Sequence, residues 1–304
     1  MTPWLLLLLP LIALLAWMRF EAGWLEVCRV PVQGGPGLRI AVISDLHPAY
    51  CRVRATRARA AVLAENVDLL LFLGDAADNA RQIDQSAAWL GTCTRGIPTM
   101  AVLGNHDHKL FSAHPDLLPA YRNALAGAGI RLCVDERITF TADGRTVLLT
   151  ALDDYRQPRG TASGLHAGTS RPVGHPAPPF SAHDDTRTQV PPATPIVSPP
   201  PGPSVPDSTE KAFHLVFTHN PQRIAELPHG YADFAVAGHF HGGQIWMPFG
   251  LEFRLFRKEP LGRAGVRRGG HQVNGMPVYL TRGIGNVLFP LRLGARPEIT
   301  ILEL

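Results

Sequence analysis

A chain of 304 residues, 45% hydrophobic and 18% charged, is longer than one compact domain usually requires. A formal charge of +4 and a pI near 9.1 point only weakly to anionic surroundings. The four cysteines, at 28, 51, 93 and 133, show no CxxC or other metal-binding spacing, which excludes a recognisable cysteine-ligated metal site and leaves free thiols as the expectation.

The chain opens on an apolar run of 15 residues, WLLLLLPLIALLAWM at 4–18, which is short for a full membrane span. Phe20, Trp24 and Leu25 extend it to about 20 residues, and tryptophans at 4, 17 and 24 are placed like interfacial anchors. No basic residue precedes the run and no A-x-A cleavage site is evident. Residues 1–25 therefore read as a retained transmembrane anchor rather than a signal peptide. Arg19, Arg29 and Arg39 follow the run, and by the positive-inside rule they place the remaining chain, residues 38–304, on the cytoplasmic side.

Beyond the anchor, five apolar runs each close on a short polar motif. RIAVISD (39–45) leads into DLH at 45–47, and DLLLFLGD (68–75) into GDAAD at 74–78. PTMAVLGN (98–105) leads into GNHD at 104–107, HLVFTHN (214–220) into THNP at 218–221, and DFAVAGH (233–239) into GHFHGG at 238–243. Continuous apolar runs of this length predict strands covered on both faces. Helices are predicted between them at 53–67 and 84–93. If most of these strands run parallel in one sheet, their carboxyl ends converge on one crevice, the usual ligand position in open α/β sheets.

The motifs deliver Asp45, His47, Asp75, Asn105, His219, His239 and His241, a ligand inventory for two divalent metals. Two cations about 3.5–4 Å apart repel, so a binuclear site needs anionic ligands, at least one of them bridging. Carboxylates mixed with imidazoles and an amide oxygen suit Mn, Fe or Zn better than Ca, with Mn the leading candidate. Alone, DLH, GD and GN are ordinary turn chemistry. Their combination with two histidine-rich motifs beside glycines is what carries the chemistry. His108, His114, His214, His229 and His271 read as surface or core residues and stay outside the site, although His108 lies near enough to His106 to line a pocket.

Between TVLLTALDD (146–154) and the 214–220 strand, residues 156–210 hold 13 of the 28 prolines with no periodic apolar pattern. They read as a disordered or polyproline-like insertion without a catalytic role, and His166, His175 and His183 fall within it. Past GHFHGG, Arg254, Arg257, Lys258, Arg263, Arg267 and Arg268 accompany Ile245, Trp246, Met247, Phe249, Leu251 and Phe253, with Leu288 and Phe289 further on. Apolar surface beside arginines suits a lipid-linked phosphate at a bilayer.

In motif order and content, DLH, GDAAD, GNHD, THNP and GHFHGG, the chain resembles the calcineurin-like metallophosphoesterase superfamily, over residues 45 to 241. The resemblance implies a four-layer αββα sandwich, here with an N-terminal membrane helix. It implies one metal on Asp45, His47 and His241, a second on Asn105, His219 and His239, and Asp75 bridging them. It further implies that His106 protonates the leaving oxygen and that Asp78 orients His106. GHFHGGQ with THNP, and the tail 286–304, are similar to the membrane-associated bacterial branch, which includes broad phosphodiesterases and an enzyme that splits UDP-2,3-diacylglucosamine in lipid A synthesis. Phe240 departs from that pattern, where a small hydroxyl residue is usual, and is expected at the pocket rim.

The expected protein is thus a binuclear metal-dependent hydrolase of a phosphodiester or pyrophosphate bond, acting on a phosphorylated, lipid-linked small molecule at the bacterial inner membrane. A broad membrane-tethered phosphodiesterase or phosphomonoesterase is the near alternative. A non-catalytic metal-binding scaffold is the remote one, disfavoured because no ligand is missing. The arginines raise a nuclease, but the anchor argues against it, and no nucleic-acid partner is expected.

Overall fold

A computed structural model describes residues 3–154, 212–256 and 259–304. The Pro-rich insertion at 156–210, with its three histidines, and the basic residues Arg257 and Lys258 lie outside the described residues.

Helix α1 (Pro3–Glu21) and strand β1 (Glu26–Pro31) precede β2 (Arg39–Ile43), α2 (Ala55–Ala64), β3 (Leu69–Phe72), α3 (Ala80–Thr94) and β4 (Thr99–Ala101). Next come α4 (Asn105–Ala113), α5 (Leu117–Gly127), β5 (Ile130–Leu132), β6 (Glu136–Ala142) and β7 (Arg145–Leu152). The remaining elements are β8 (Phe213–Thr218), α6 (Gln222–Ala225), β9 (Phe234–Ala237), α7 (Leu251–Phe256), α8 (Pro260–Arg263), β10 (Gly269–Val273), β11 (Met276–Leu280) and β12 (Glu298–Glu303).

The strands form two six-stranded sheets, as the expected αββα sandwich requires. The first has the order β1-β12-β2-β3-β4-β5 and the second β10-β11-β9-β8-β7-β6. Of the five strands predicted to end in ligands, β2, β3 and β4 therefore belong to the first sheet, and β8 and β9 to the second. Every residue of β3, β8 and β9 is buried, which is why these runs show no alternation. The hairpins β6–β7 and β10–β11 close through Asp143-Gly144 and Asn274-Gly275, dipeptides that two-residue hairpin turns favour.

Three apolar layers follow from this pairing. Ile40, Val42, Leu69 and Leu71 of the first sheet meet Leu149, Leu215, Phe217 and Val236 of the second in a central core. The other face of the first sheet packs Ile43, Leu70 and Phe72 with Val62 of α2, Leu90 of α3 and Leu125 of α5. α3 starts where the Asn79 side chain accepts the Arg81 N–H, a standard N-cap, and it buries Ile83, Ala87 and Leu90 at helical spacing. On the far face of the second sheet, Phe240 and Phe253 pack with Ala235, Val278 and Leu280.

α1 occupies the position predicted for the membrane anchor, but among the described residues no helix is long and apolar enough to cross a membrane. The span expected over 1–25 is therefore not supported. α1 exposes Leu8, Leu9, Leu11 and Ile12, and Trp17, Phe20 and Trp24 cluster near its end. Its last turn is stitched to the domain: the Arg292 N–H donates to Met18 O at 3.1 Å and the Ala295 N–H to Glu21 Oε1 at 3.0 Å.

Candidate metal centre

The site is assembled from loops that leave both sheets at the carboxyl ends of their strands. Parallel β2 and β3 put their following loops side by side, so the Asp45 N–H donates to Gly74 O at 3.0 Å and the His47 N–H to Asp75 O at 3.1 Å. From the second sheet, the His239 N–H donates to Asp45 Oδ2 at 3.1 Å. The His219 Nδ1–H donates to Leu73 O at 2.7 Å, which turns Nε2 toward the interior. Five distant motifs meet because the two sheets end at one edge of their common core.

All seven predicted ligands are brought together, in two groups. Asp45, His47 and His241 form the first, with Asp45 Oδ1 3.2 Å from His241 Nε2. In the second, His219 Nε2 lies 3.2 Å from Asp75 Oδ2, 3.0 Å from Asn105 Oδ1 and 3.1 Å from His239 Nδ1. Asp75 Oδ2 also stands 3.5 Å from His47 Nε2, so a single carboxylate oxygen faces both groups. Ligands held about 2.1 Å from one cation lie roughly 3–3.4 Å from one another, which is the spacing found here.

The electrostatics fit divalent cations. Asp45 Oδ1 and His47 Nε2 are buried and have no hydrogen-bond partner among the described residues, a costly state unless another charge faces them. Burial alone would lower the His47 pKa, but Asp75 and Asp78 reverse this and raise it to about 10. His219 is raised to about 10 against its burial in the same way, by Asp75 and Asp45. Carboxylates that recruit protons so strongly onto neighbouring imidazoles would favour a cation in place of those protons.

Holding these side chains strains the backbone. Asp45, His47, Asp75, His239 and His241 have φ between 39° and 72°, a region costly for residues with a Cβ and concentrated at functional sites. The flanking glycines are explained by close approach. A Cβ on Gly104 would come 2.1 Å from Asp75 Oδ1, and one on Gly238 would come 1.9 Å from Ser44 Oγ and 2.7 Å from Asp45 Oδ2.

Asp78 accepts from two rings: Oδ1 lies 2.5 Å from His106 Nδ1 and Oδ2 3.2 Å from His47 Nδ1. The same carboxylate thus contacts both the partly exposed His106 and a member of the first ligand group, and these three side chains also lie close enough together to hold an ion. A cavity of about 500 Å³ opens beside His106, bounded by Asp78, Lys109, Leu110, His114 and Leu117.

Several residues here were missed by sequence reasoning. Asp107 is fully buried and accepts four backbone N–H groups, from Asp75, Ala76, Ala77 and Gly104, at 2.8–3.0 Å, clamping the GDAAD loop to the GNHD loop. The only signal for it was its place in the fourth position of GNHD. Gln244 exchanges hydrogen bonds with Val287 at 2.8 Å, and so ties GHFHGG to the 287–289 segment. Buried Arg292 donates to the carbonyls of Arg282, Gly283, Gly285 and Ala295 and to Asn286 Oδ1. The loop it braces backs the first ligand group: the Ile284 N–H donates to Ser44 O and the Gly285 N–H to Asp45 O, both at 2.8 Å. His108, left outside the site, bonds through Nε2 to Asp153 Oδ1 at 2.6 Å.

The rim differs from expectation in three places. Phe240 is fully buried against Phe253, ring centroids 5.8 Å apart, so it belongs to the core and not to the pocket edge. Phe253 is likewise buried, whereas Trp246, Phe249, Leu288 and Phe289 are exposed. Arg267 lies over the Phe253 ring and donates to Gly262 O, and Arg268 donates to Gly294 O, which commits part of the basic cluster to structure.

Residues 38–243 match the family described as calcineurin-like phosphoesterase. The chain is 26% identical over 294 residues to the phosphodiesterase YaeI of Escherichia coli, covering 93% of this chain and 90% of that one. It is 25% identical over 270 residues to the uncharacterised metallophosphoesterase YkoQ of Bacillus subtilis, covering 88% and 83%. A transmembrane protein with a metallophosphoesterase domain from Danio rerio is 24% identical over 287 residues, covering 90% of this chain and 56% of that protein.

Proposed function

The chain belongs to the calcineurin-like phosphoesterase family and is a metal-dependent phosphoester hydrolase, and from that premise we propose that it cleaves a phosphodiester or pyrophosphate bond in a lipid-linked molecule, with UDP-2,3-diacylglucosamine as the named candidate. The observation that carries the chemistry is Asp75 Oδ2, which faces both ligand groups at 3.2 and 3.5 Å. Two bound cations, Mn before Fe or Zn, would clamp the phosphoryl group and acidify a water.

The chain's own residues do the rest. Asp45, His47 and His241 would hold one cation, Asn105, His219 and His239 the other, and Asp75 would face both. His106 lines the cavity of about 500 Å³ and gives a proton from its ring to the departing oxygen. Asp78 keeps the His106 ring oriented through the contact at Nδ1. Lys109, at the same cavity, offers a cation to an anionic part of the substrate.

The lipid-linked part of the reading rests on apolar surface. Trp246, Phe249, Leu288 and Phe289 are exposed beside the GHFHGG loop, and α1 adds Leu8, Leu9, Leu11, Ile12 and Trp17. Apolar residues of this kind attach a domain to a bilayer, and the name of the Danio rerio relative agrees with such a setting. A setting at the cytoplasmic face of a bacterial inner membrane is part of the same proposal.

Purified full-length protein with Mn is to be incubated with bis(p-nitrophenyl) phosphate, p-nitrophenyl phosphate and UDP-2,3-diacylglucosamine. Cleavage of the lipid substrate is the expected result. Hydrolysis of the water-soluble esters alone would end the lipid proposal and leave a broad phosphoesterase.

A further inference from the structure

Glu259 lies 20 positions beyond His239 and outside the residues that match the family. It nevertheless reaches the metal centre. Its Oε1 stands 3.0 Å from His239 Nε2, with the histidine side chain 8% and the glutamate 24% exposed. The other ring nitrogen of His239, Nδ1, faces His219 Nε2 at 3.1 Å, on the side where Asp75 and Asn105 converge. The two nitrogens of one imidazole are therefore divided between a carboxylate and the second ligand group.

That division has a chemical meaning. A histidine offers a lone pair to a cation from only one nitrogen, and the proton must then sit on the other. Carboxylates that accept this proton fix the tautomer, hold the ring plane and raise the basicity of the ligating nitrogen. We propose that Glu259 is a positioning residue of the second metal site, holding His239 in the Nε2–H form with Nδ1 turned to the cation. The proposal rests on the two-metal reading above.

The surroundings show that Glu259 is placed and is not a surface acid that happens to touch a ring. It caps α8 in an extended conformation and accepts the Arg263 N–H at 3.2 Å through its carbonyl. Two residues on, the Leu261 N–H donates to Gln222 Oε1 of α6 at 2.9 Å. Gly262 then presses on the Phe253 ring, where an added Cβ would sit 3.0 Å from Cδ1, and Phe253 packs on Phe240, the neighbour of His239 in sequence. One apolar contact thus fixes the backbones of donor and acceptor together. It also gives the buried Phe240 a purpose that a small hydroxyl residue could not serve.

The test is a Mn titration of the metal-free full chain, with free Mn read by electron paramagnetic resonance, for wild type, Glu259→Ala and Glu259→Gln. The wild type should take up two Mn. In Glu259→Ala one of the two should bind roughly 10–100-fold more weakly, with the other unchanged and the unfolding midpoint of the metal-free protein unmoved. Glu259→Gln keeps an acceptor oxygen and should recover part of the loss, and excess Mn should restore turnover in both variants. Two wild-type affinities in Glu259→Ala would overturn the assignment alone. So would equal weakening of both sites together with a lowered midpoint in both variants, which would make Glu259 a folding residue. A wild type that takes up no Mn would overturn the two-metal reading, and this assignment with it.

Discussion

Replacing Arg292 by Met sets two opposing effects against each other, and their sizes can be worked from the structure. Arg292 is fully buried and serves five acceptors. Of these, Gly283 O keeps the Glu298 N–H at 3.0 Å, which leaves the carbonyls of Arg282, Gly285 and Ala295 and the Asn286 side chain to lose the guanidinium. Each buried acceptor so deprived costs about 1–3 kcal/mol, or about 4–12 kcal/mol for the four. Against this, burial and the neighbouring Arg282 push the Arg292 pKa down to about 10, and removing that charge returns roughly 3 kcal/mol at about 1.4 kcal/mol per pKa unit. Met fills most of the volume, so no large cavity adds to the sum. The net loss should fall between about 1 and 9 kcal/mol, a span that brackets the roughly 3–5 kcal/mol typical of breaking a buried charged pair. Urea unfolding of the metal-free protein, with the slope checked for two-state behaviour, measures it. A loss below about 1 kcal/mol would refute the reasoning, because it would mean that the loop carbonyls find other partners as good as the guanidinium.

Other outcomes follow from the same geometry. Asp75→Asn should lose both metals and activity together, since it removes the one anionic oxygen that faces both groups; metal content by mass spectrometry checks it, and retention of two Mn would deny the bridge. His106→Ala should keep two Mn while turnover of bis(p-nitrophenyl) phosphate falls roughly 100–10,000-fold, and an unchanged rate would remove the acid role. Gly104→Ala should fold poorly or bind Mn at least about tenfold more weakly, because its Cβ would drive Asp75 from its position; wild-type Mn affinity would show that the loop can yield.

The sequence made the chemistry legible and left the scaffold partly hidden. Each ligand ends an apolar run, so Asp45, Asp75, Asn105, His219 and His239 could be placed at strand ends from local pattern alone. That those strands divide between two sheets could not, because a run buried on both faces reads the same whichever sheet it joins. α4 and α5 were missed for a related reason: α4 begins inside GNHD, where the ligand motif masks the start of a helix. Asp107, Gln244, Arg292 and Glu259 act on backbone or ring atoms 20 to 43 residues away or on loops of their own segment, and no spacing rule reports such partners. Phe240 and Phe253 were expected at the rim because apolar residues beside a site suggest surface for a substrate, whereas α7 and α8 fold back and bury both.

The way α1 joins the domain decides how firmly its end is held. Besides the bonds from Arg292 and Ala295 to its last turn, the Arg57 guanidinium donates to Gly23 O and Arg296 lies 4.5 Å over the Trp24 ring. The helix is gripped at Met18 and Glu21, and the chain just past it at Gly23 and Trp24. The end of the helix therefore keeps a set bearing relative to the cleft. The arginine that receives α1 also braces the loop behind Asp45, so the end of the helix and the backing of that carboxylate share one support.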